Sequence, residues 1–144
     1  MVISADTSFL FSLYGDDCHS GRAKKWIQDS RSAILISVIT DFELRNAIRF
    51  SECRRFVPSG KAAFYLAIYE NALSEGRVLI EPCDLAEIMV VAGHLSARHT
   101  LTGGHRGFDI LHVASAKVLK STHFLTFDAN QKSLAEKEGF IVPF

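Results

Sequence analysis

Four acidic segments in this sequence, at Asp6, at Asp41 and Glu43, at Asp109 and at Asp128, each sit where an apolar segment ends or a helix begins. Asp6 closes the run MVISA, and Asp128 closes FLTF at residues 124–127. Asp41 and Glu43 fall just past the apolar AILIS, residues 33–37, in SVITDFE. Asp109 follows the glycine-rich LTGGHRG and opens a helical pattern, where the positive end of the helix dipole favours an anion. Acids brought together need a counter-charge, since two carboxylates about 4 Å apart repel by roughly 4 kcal/mol at an effective dielectric near 20. An all-oxygen cluster open to water suits Mg²⁺ or Mn²⁺. A cation held there polarises a phosphodiester and acidifies a bound water. Any one of these acids alone is explained more readily as a helix N-cap, a reading open to Asp41 as well. The signal is the set, provided the fold gathers it.

The elements that would gather it alternate. Apolar strands are expected at residues 1–5, 33–37, 78–80, 124–127 and 140–142. Helical patterns lie between them. One runs through SFLFSLY and stops at Gly15; others span 19–30, 38–56, 61–75, 84–99, 108–120 and 129–138. Strands that are nearly all apolar and alternate with helices indicate a parallel sheet buried on both faces. The fold class is therefore α/β: three layers, α/β/α, around a central, mainly parallel sheet of four to five strands. In such sheets ligands bind beyond the carboxyl ends of the strands, the rim to which all four acidic segments belong.

A chain of 144 residues, 48% hydrophobic and 22% charged, fits one globular domain spanning residues 1–144. Sixteen basic residues against sixteen acidic ones leave a net charge of zero, so a polyanion partner must be held by a local patch. No apolar run approaches the roughly 20 residues of a membrane span, and the amino terminus lacks the basic start of a signal peptide. Cys18, Cys53 and Cys83 are odd in number and unpaired in spacing, which predicts reduced, buried thiols in a cytoplasmic protein.

The segments ISADTSFL, ISVITDFELRNAI and GFDILHVASAKVLKSTHFLTFDANQ together resemble a PIN-domain ribonuclease, and more closely a VapC-type toxin of a toxin–antitoxin pair. They span nearly the whole chain in the expected order. The resemblance implies that Asp6, Glu43, Asp109 and Asp128 form an acidic Mg²⁺ or Mn²⁺ site, with Asp128 as its outer member acting through water. Ser8 matches a small polar residue that orients the first acid, and Thr126 a hydroxyl that precedes the last one. It further implies metal-dependent endonucleolytic cleavage of RNA by an activated water, a cognate antitoxin protein as partner, and a homodimer.

Around this core the residues suggest supporting parts. Asn46, one turn beyond Glu43, shares its helix face and either orients the glutamate or is simply solvated. His112 stands at the same offset from Asp109, as a pH-sensitive group or as a packing residue. Arg45 and Arg49, one turn apart, and Arg106 on a mobile glycine-rich loop are candidate phosphate contacts, against a plain solvated surface. FLFSLY and FYLAIY offer apolar surface for a second copy or an antitoxin helix, against core packing. Two other functions remain open on sequence grounds: an aspartyl-nucleophile phosphatase or phosphotransferase, although the usual D-x-D is here D-T-S, and a binding module that has lost catalysis.

Overall fold

The computed structural model describes residues 1–144. In chain order it contains β1 (Ile3–Ala5), α1 (Thr7–Tyr14), α2 (Ser20–Ser30), β2 (Ile34–Ile36), α3 (Val38–Cys53) and α4 (Lys61–Ser74). These are followed by β3 (Val78–Ile80), α5 (Leu85–Gly103), α6 (Gly107–Val118), β4 (His123–Leu125) and α7 (Ala129–Lys137). The four strands form one sheet in the order β3-β2-β1-β4, and every pairing is parallel. A parallel pair needs a long crossover, which the helices supply.

Two apolar clusters sandwich the sheet. Ile3, Ala5, Ile34, Ile36, Val78 and Leu125 face a core shared with α1 to α4. Phe124 faces the other, built with Ile88, Leu95, Val113 and Leu134 of α5 to α7. The opposite facing of Phe124 and Leu125 is the two-residue period of a strand. Each fully buried Ile, Leu or Phe in these layers contributes about 2 kcal/mol relative to exposure. The result is the three-layer α/β/α arrangement, with four strands.

The expected strand at 140–142 is reduced to a single parallel bridge between His123 and Ile141. The long helix expected to stop near His99 runs one turn further, to Gly103. Gly104, at φ 65°, is the residue that takes the left-handed turn, and its N–H caps the Thr100 carbonyl. The glycine-rich stretch is therefore only in part a loop: Leu101–Gly103 is helical, and within the remaining Gly104–Arg106 loop His105 is buried, bonded through Nδ1 to Asn130 Oδ1. A Cβ on Gly103 would lie 2.3 Å from His105 Nε2, so the glycine is what lets that ring pack. Two further expectations change. Cys18 and Cys53 are exposed and only Cys83 is partly buried, so the thiols are not core residues. FLFSLY is core, with Phe9, Leu10, Leu13 and Tyr14 buried.

The topology fixes where a site can form. After β1 the chain moves outward through β2 to β3, then returns across the sheet to place β4 on the other side of β1. The β1/β4 boundary is thus the switch point of the sheet, where the loops from the two strand ends diverge and leave a crevice.

Candidate active site

Asp6 sits at that crevice. Its backbone N–H donates to the Leu125 carbonyl at 3.1 Å, carrying the β1–β4 pairing to the strand end. Its carboxylate caps α1, accepting from Phe9 N–H at 2.9 Å. Ser8 Oγ donates to both carboxylate oxygens at 2.7 and 2.9 Å, and Thr126 Oγ1 donates at 2.5 Å. The same hydroxyl oxygens accept from the turn beyond β4: Phe127 N–H to Ser8 at 3.0 Å and Asp128 N–H to Thr126 at 3.0 Å. Ser8 and Thr126 therefore lock Asp6 to the segment that carries Asp128. Asp6 is only 1% exposed. Burial pushes its carboxyl above the usual carboxylate range, against the hydrogen bonds from Thr126, Phe9 and Ser8 and the charge of His112.

Glu43 projects from α3 toward the same edge, and Thr7 Oγ1, next to Asp6, donates to its Oε2 at 2.5 Å. The Nε2–H of His112 donates to that same oxygen, while its Nδ1 lies 3.1 Å from Thr40 Oγ1. Burial pulls Glu43 upward, but the bonds from His112 and Thr7 and the His112 charge outweigh it and hold the carboxyl below its usual range. One turn away, Ser37 Oγ donates to Ser115 Oγ at 3.1 Å, so α3 and α6 meet along a polar seam. Asp109, in the first turn of α6, accepts from Gln131 Nε2 at 3.2 Å. The backbone N–H of Gln131 donates to Asp128 Oδ1 at 2.8 Å, capping α7.

The four acids therefore occupy one ring of contacts: Asp6 through Thr126 to Asp128, through Gln131 to Asp109, along α6 to His112, and back by Glu43 and Thr7. Asp128 is the exposed member. In Glu43, Asp109 and Asp128 one carboxylate oxygen is engaged by the protein and the other has no protein partner. As the side chains stand, no three histidine, cysteine, aspartate or glutamate groups are spaced to hold a metal ion. The donor chemistry nevertheless fits a hard divalent cation. The donors are all oxygen, Glu43, Asp109 and Asp128 each keep one carboxylate oxygen without a protein partner, and no lysine or arginine pairs with any of the four acids.

Several sequence expectations resolve differently. Asn46 is exposed and makes no hydrogen bond to Glu43; His112 and Thr7 take that role. Asp41 does not cap α3, which Ser37 does; it accepts from Arg45 Nε at 2.9 Å and from the Tyr69 hydroxyl at 2.9 Å. Arg45 is engaged by Asp41, Glu70 and the Tyr69 ring, whereas Arg49 and Arg106 are exposed. Gln131 was not visible as a site residue. Its one signal in the sequence was its place three residues after Asp128, where an N3 side chain lies beside the helix start.

A family model described as PIN domain matches residues 3–137. The chain belongs to the PIN domain family. No curated protein matches it in sequence. Among solved structures, it is similar to VapC20 of Mycobacterium tuberculosis, described as a sarcin–ricin loop cleaving toxin. That match has 18% identity, 96% coverage of each chain and a TM-score of 0.69. It is also similar to VapBC2 of Rickettsia felis, solved bound to a DNA fragment from its promoter (17% identity, 99% of this PIN domain and 97% of that chain, TM-score 0.71). FitAcB of Neisseria gonorrhoeae aligns at 19% identity over 98% and 96% of the two chains, with a TM-score of 0.62. At these identities the likeness establishes a shared fold.

Proposed function

We propose that this PIN domain is a divalent-metal-dependent endoribonuclease, acting in the cytoplasm as the toxin of a toxin–antitoxin pair. The observation that carries the reading is the ring of contacts joining Asp6, Glu43, Asp109 and Asp128 at the β1/β4 switch point. The fold shared with VapC20, described as a sarcin–ricin loop cleaving toxin, supports the reading. Asp6, Glu43 and Asp109 would hold Mg²⁺ or Mn²⁺, with Asp128 outermost. The ion supplies the charge that offsets the converging carboxylates and the Lewis acidity that activates a water for in-line attack on phosphorus.

The chain's own groups prepare that site. Ser8 and Thr126 fix the Asp6 carboxylate, His112 and Thr7 fix Glu43, and Gln131 fixes Asp109. Preset ligands of this kind lower the reorganisation needed in the transition state. Exposed Arg49 and Arg106 are the candidate phosphate contacts. Asp6 suits an orienting, charge-holding role better than that of a nucleophile, because both its oxygens accept hydrogen bonds and it is buried.

The antitoxin is assigned to the groove between α3 and α4, a cavity of about 1090 Å³ whose walls include Arg49, Arg55, Phe56 and Leu66. The wall also holds Glu52, whose carboxylate is taken up by the Gly60 and Ala62 backbone N–H groups, so apolar walls with two free arginines fit an acidic amphipathic segment. A second copy is assigned to the exposed apolar pairs Val38 and Phe42 on α3 and Leu85 and Met89 on α5. The test is expression with and without the antitoxin, followed by sequencing of RNA ends. New ends confined to cells lacking the antitoxin support the reading; unchanged RNA ends together with normal growth contradict it.

A further inference from the structure

Beside the carboxylates an aromatic stack runs from the core to the surface. Phe9 is fully buried; Phe127 stacks on it with ring centroids 5.5 Å apart and 24° between planes. His19 stacks on Phe127 more closely, at 4.4 Å and 11°. The His19 imidazole makes no hydrogen bond; the residue bonds only through its backbone. Arg22, one turn further along α2, has no ion pair or side-chain hydrogen bond. Its guanidinium lies 5.6 Å from the Phe127 centroid and 5.3 Å from that of Phe144. A half-buried histidine and an arginine, both lacking polar partners and both resting on rings, stand next to a site that handles phosphodiesters.

Two hollows flank this stack and share His19, Phe127 and Asp128 in their walls. The larger, about 420 Å³, adds Phe11, Ser8 and Asp17 and contains no lysine or arginine. Its two aspartates would repel a phosphate, while its ring walls suit a flat, uncharged group. The smaller, about 210 Å³, sets Arg22 and Lys132, whose ammonium also bonds the Phe144 carbonyl, against the shared Asp128, and the two cations over one acid suit an anion. An aromatic hollow and a cationic hollow meeting at Asp128 match the alternation of base and phosphate along a single RNA strand.

We infer that the hollow beside His19 binds one unpaired base of the RNA substrate by stacking, and that the adjoining Arg22–Lys132 hollow holds a neighbouring phosphate. This rests on the ribonuclease reading and extends it to substrate positioning. Histidine is among the side chains that stack on splayed-out bases, and such stacking tolerates any base, so the hollow selects for single-stranded RNA before it selects for sequence.

The test uses the full chain carrying Asp109→Asn, with Mg²⁺, and short fluorescent single-stranded RNAs in which one base at a time is removed. Binding is read by anisotropy. Loss of the base at one position is expected to weaken binding about tenfold. His19→Ala should weaken intact RNA by a similar factor and show no further loss at that position, and His19→Phe should restore both. Arg22→Ala should weaken every RNA alike and shallow the salt dependence by about one ion. Thermal midpoints of the variants separate loss of stacking from loss of fold. If intact RNA binds well but no position depends on His19, the base hollow is overturned while the ribonuclease reading stands. If the wild type neither binds nor cuts RNA, both fall.

Discussion

Asp6 shows how much a single side chain depends on its neighbours. Burial raises its carboxyl above the ordinary range, and the donors that Ser8, Thr126 and the Phe9 amide point at it work against that rise. Thr126→Val removes one of those donors and strands the Asp128 N–H, so it should cost about 2 kcal/mol of stability as well as activity, measured by denaturant melts and RNA cleavage. Gln131→Leu keeps the volume but releases Asp109. The expected result is a roughly tenfold fall in cleavage with an unchanged thermal midpoint. Mn²⁺ should raise the wild-type midpoint, as any ligand of the native state does, and should not raise that of Asp6→Asn. The acids themselves were legible because a carboxylate ending an apolar strand stands out. The hydrogen bonds of His112 and Gln131 were not, because they join residues 69 and 22 positions from their partners, and only the fold brings those together.

Among the elements, α5, α6 and α7 are clasped at the end away from the site by one carboxylate. Glu138 accepts from Lys117 at 2.5 Å, Arg98 at 2.9 Å and His99 at 2.6 Å. Burial works against its ionisation, but the bonds from Lys117 and His99 and the charges of Lys117 and Arg98 hold its carboxyl down at about 2. The native state thus binds the proton more weakly than the unfolded chain, so this stabilisation is complete above the ordinary value of 4.5. It is lost as pH falls toward about 2. The wild-type thermal midpoint should drop across that window. Glu138→Gln should flatten that drop and cost about 2 kcal/mol at neutral pH. Most element positions could be read from periodicity and caps: Asp84 and Asp128 do cap α5 and α7. The exceptions are physical. The C-terminal segment pairs only through the His123–Ile141 bridge, and the end of α5 depended on which of two adjacent glycines took positive φ.

At the scale of the molecule, the sheet order β3-β2-β1-β4 sets β1 beside β4, so the strand ends that lead into Asp6 and Asp128, 122 positions apart, lie at one edge. Apolar side chains left at the surface are the counterpart of that order. Phe42, Phe56 and Phe64 are 62%, 74% and 56% exposed, more than an isolated chain gains from leaving in water. Phe42→Glu should shift the mass in solution from dimer to monomer by light scattering, whereas Phe56→Glu should weaken capture of the antitoxin without changing that mass. The alternating pattern made the layers legible, but which faces stay open to partners is a property of tertiary packing. The most direct test of the central claim is cleavage of RNA by the purified chain with Mn²⁺ or Mg²⁺, compared with excess EDTA and with Asp109→Asn. Internal cuts that require the cation and fall at least a hundredfold in Asp109→Asn, with its fold intact, are the predicted result. Equal cleavage by the variant, or cleavage undiminished in EDTA, would contradict the account.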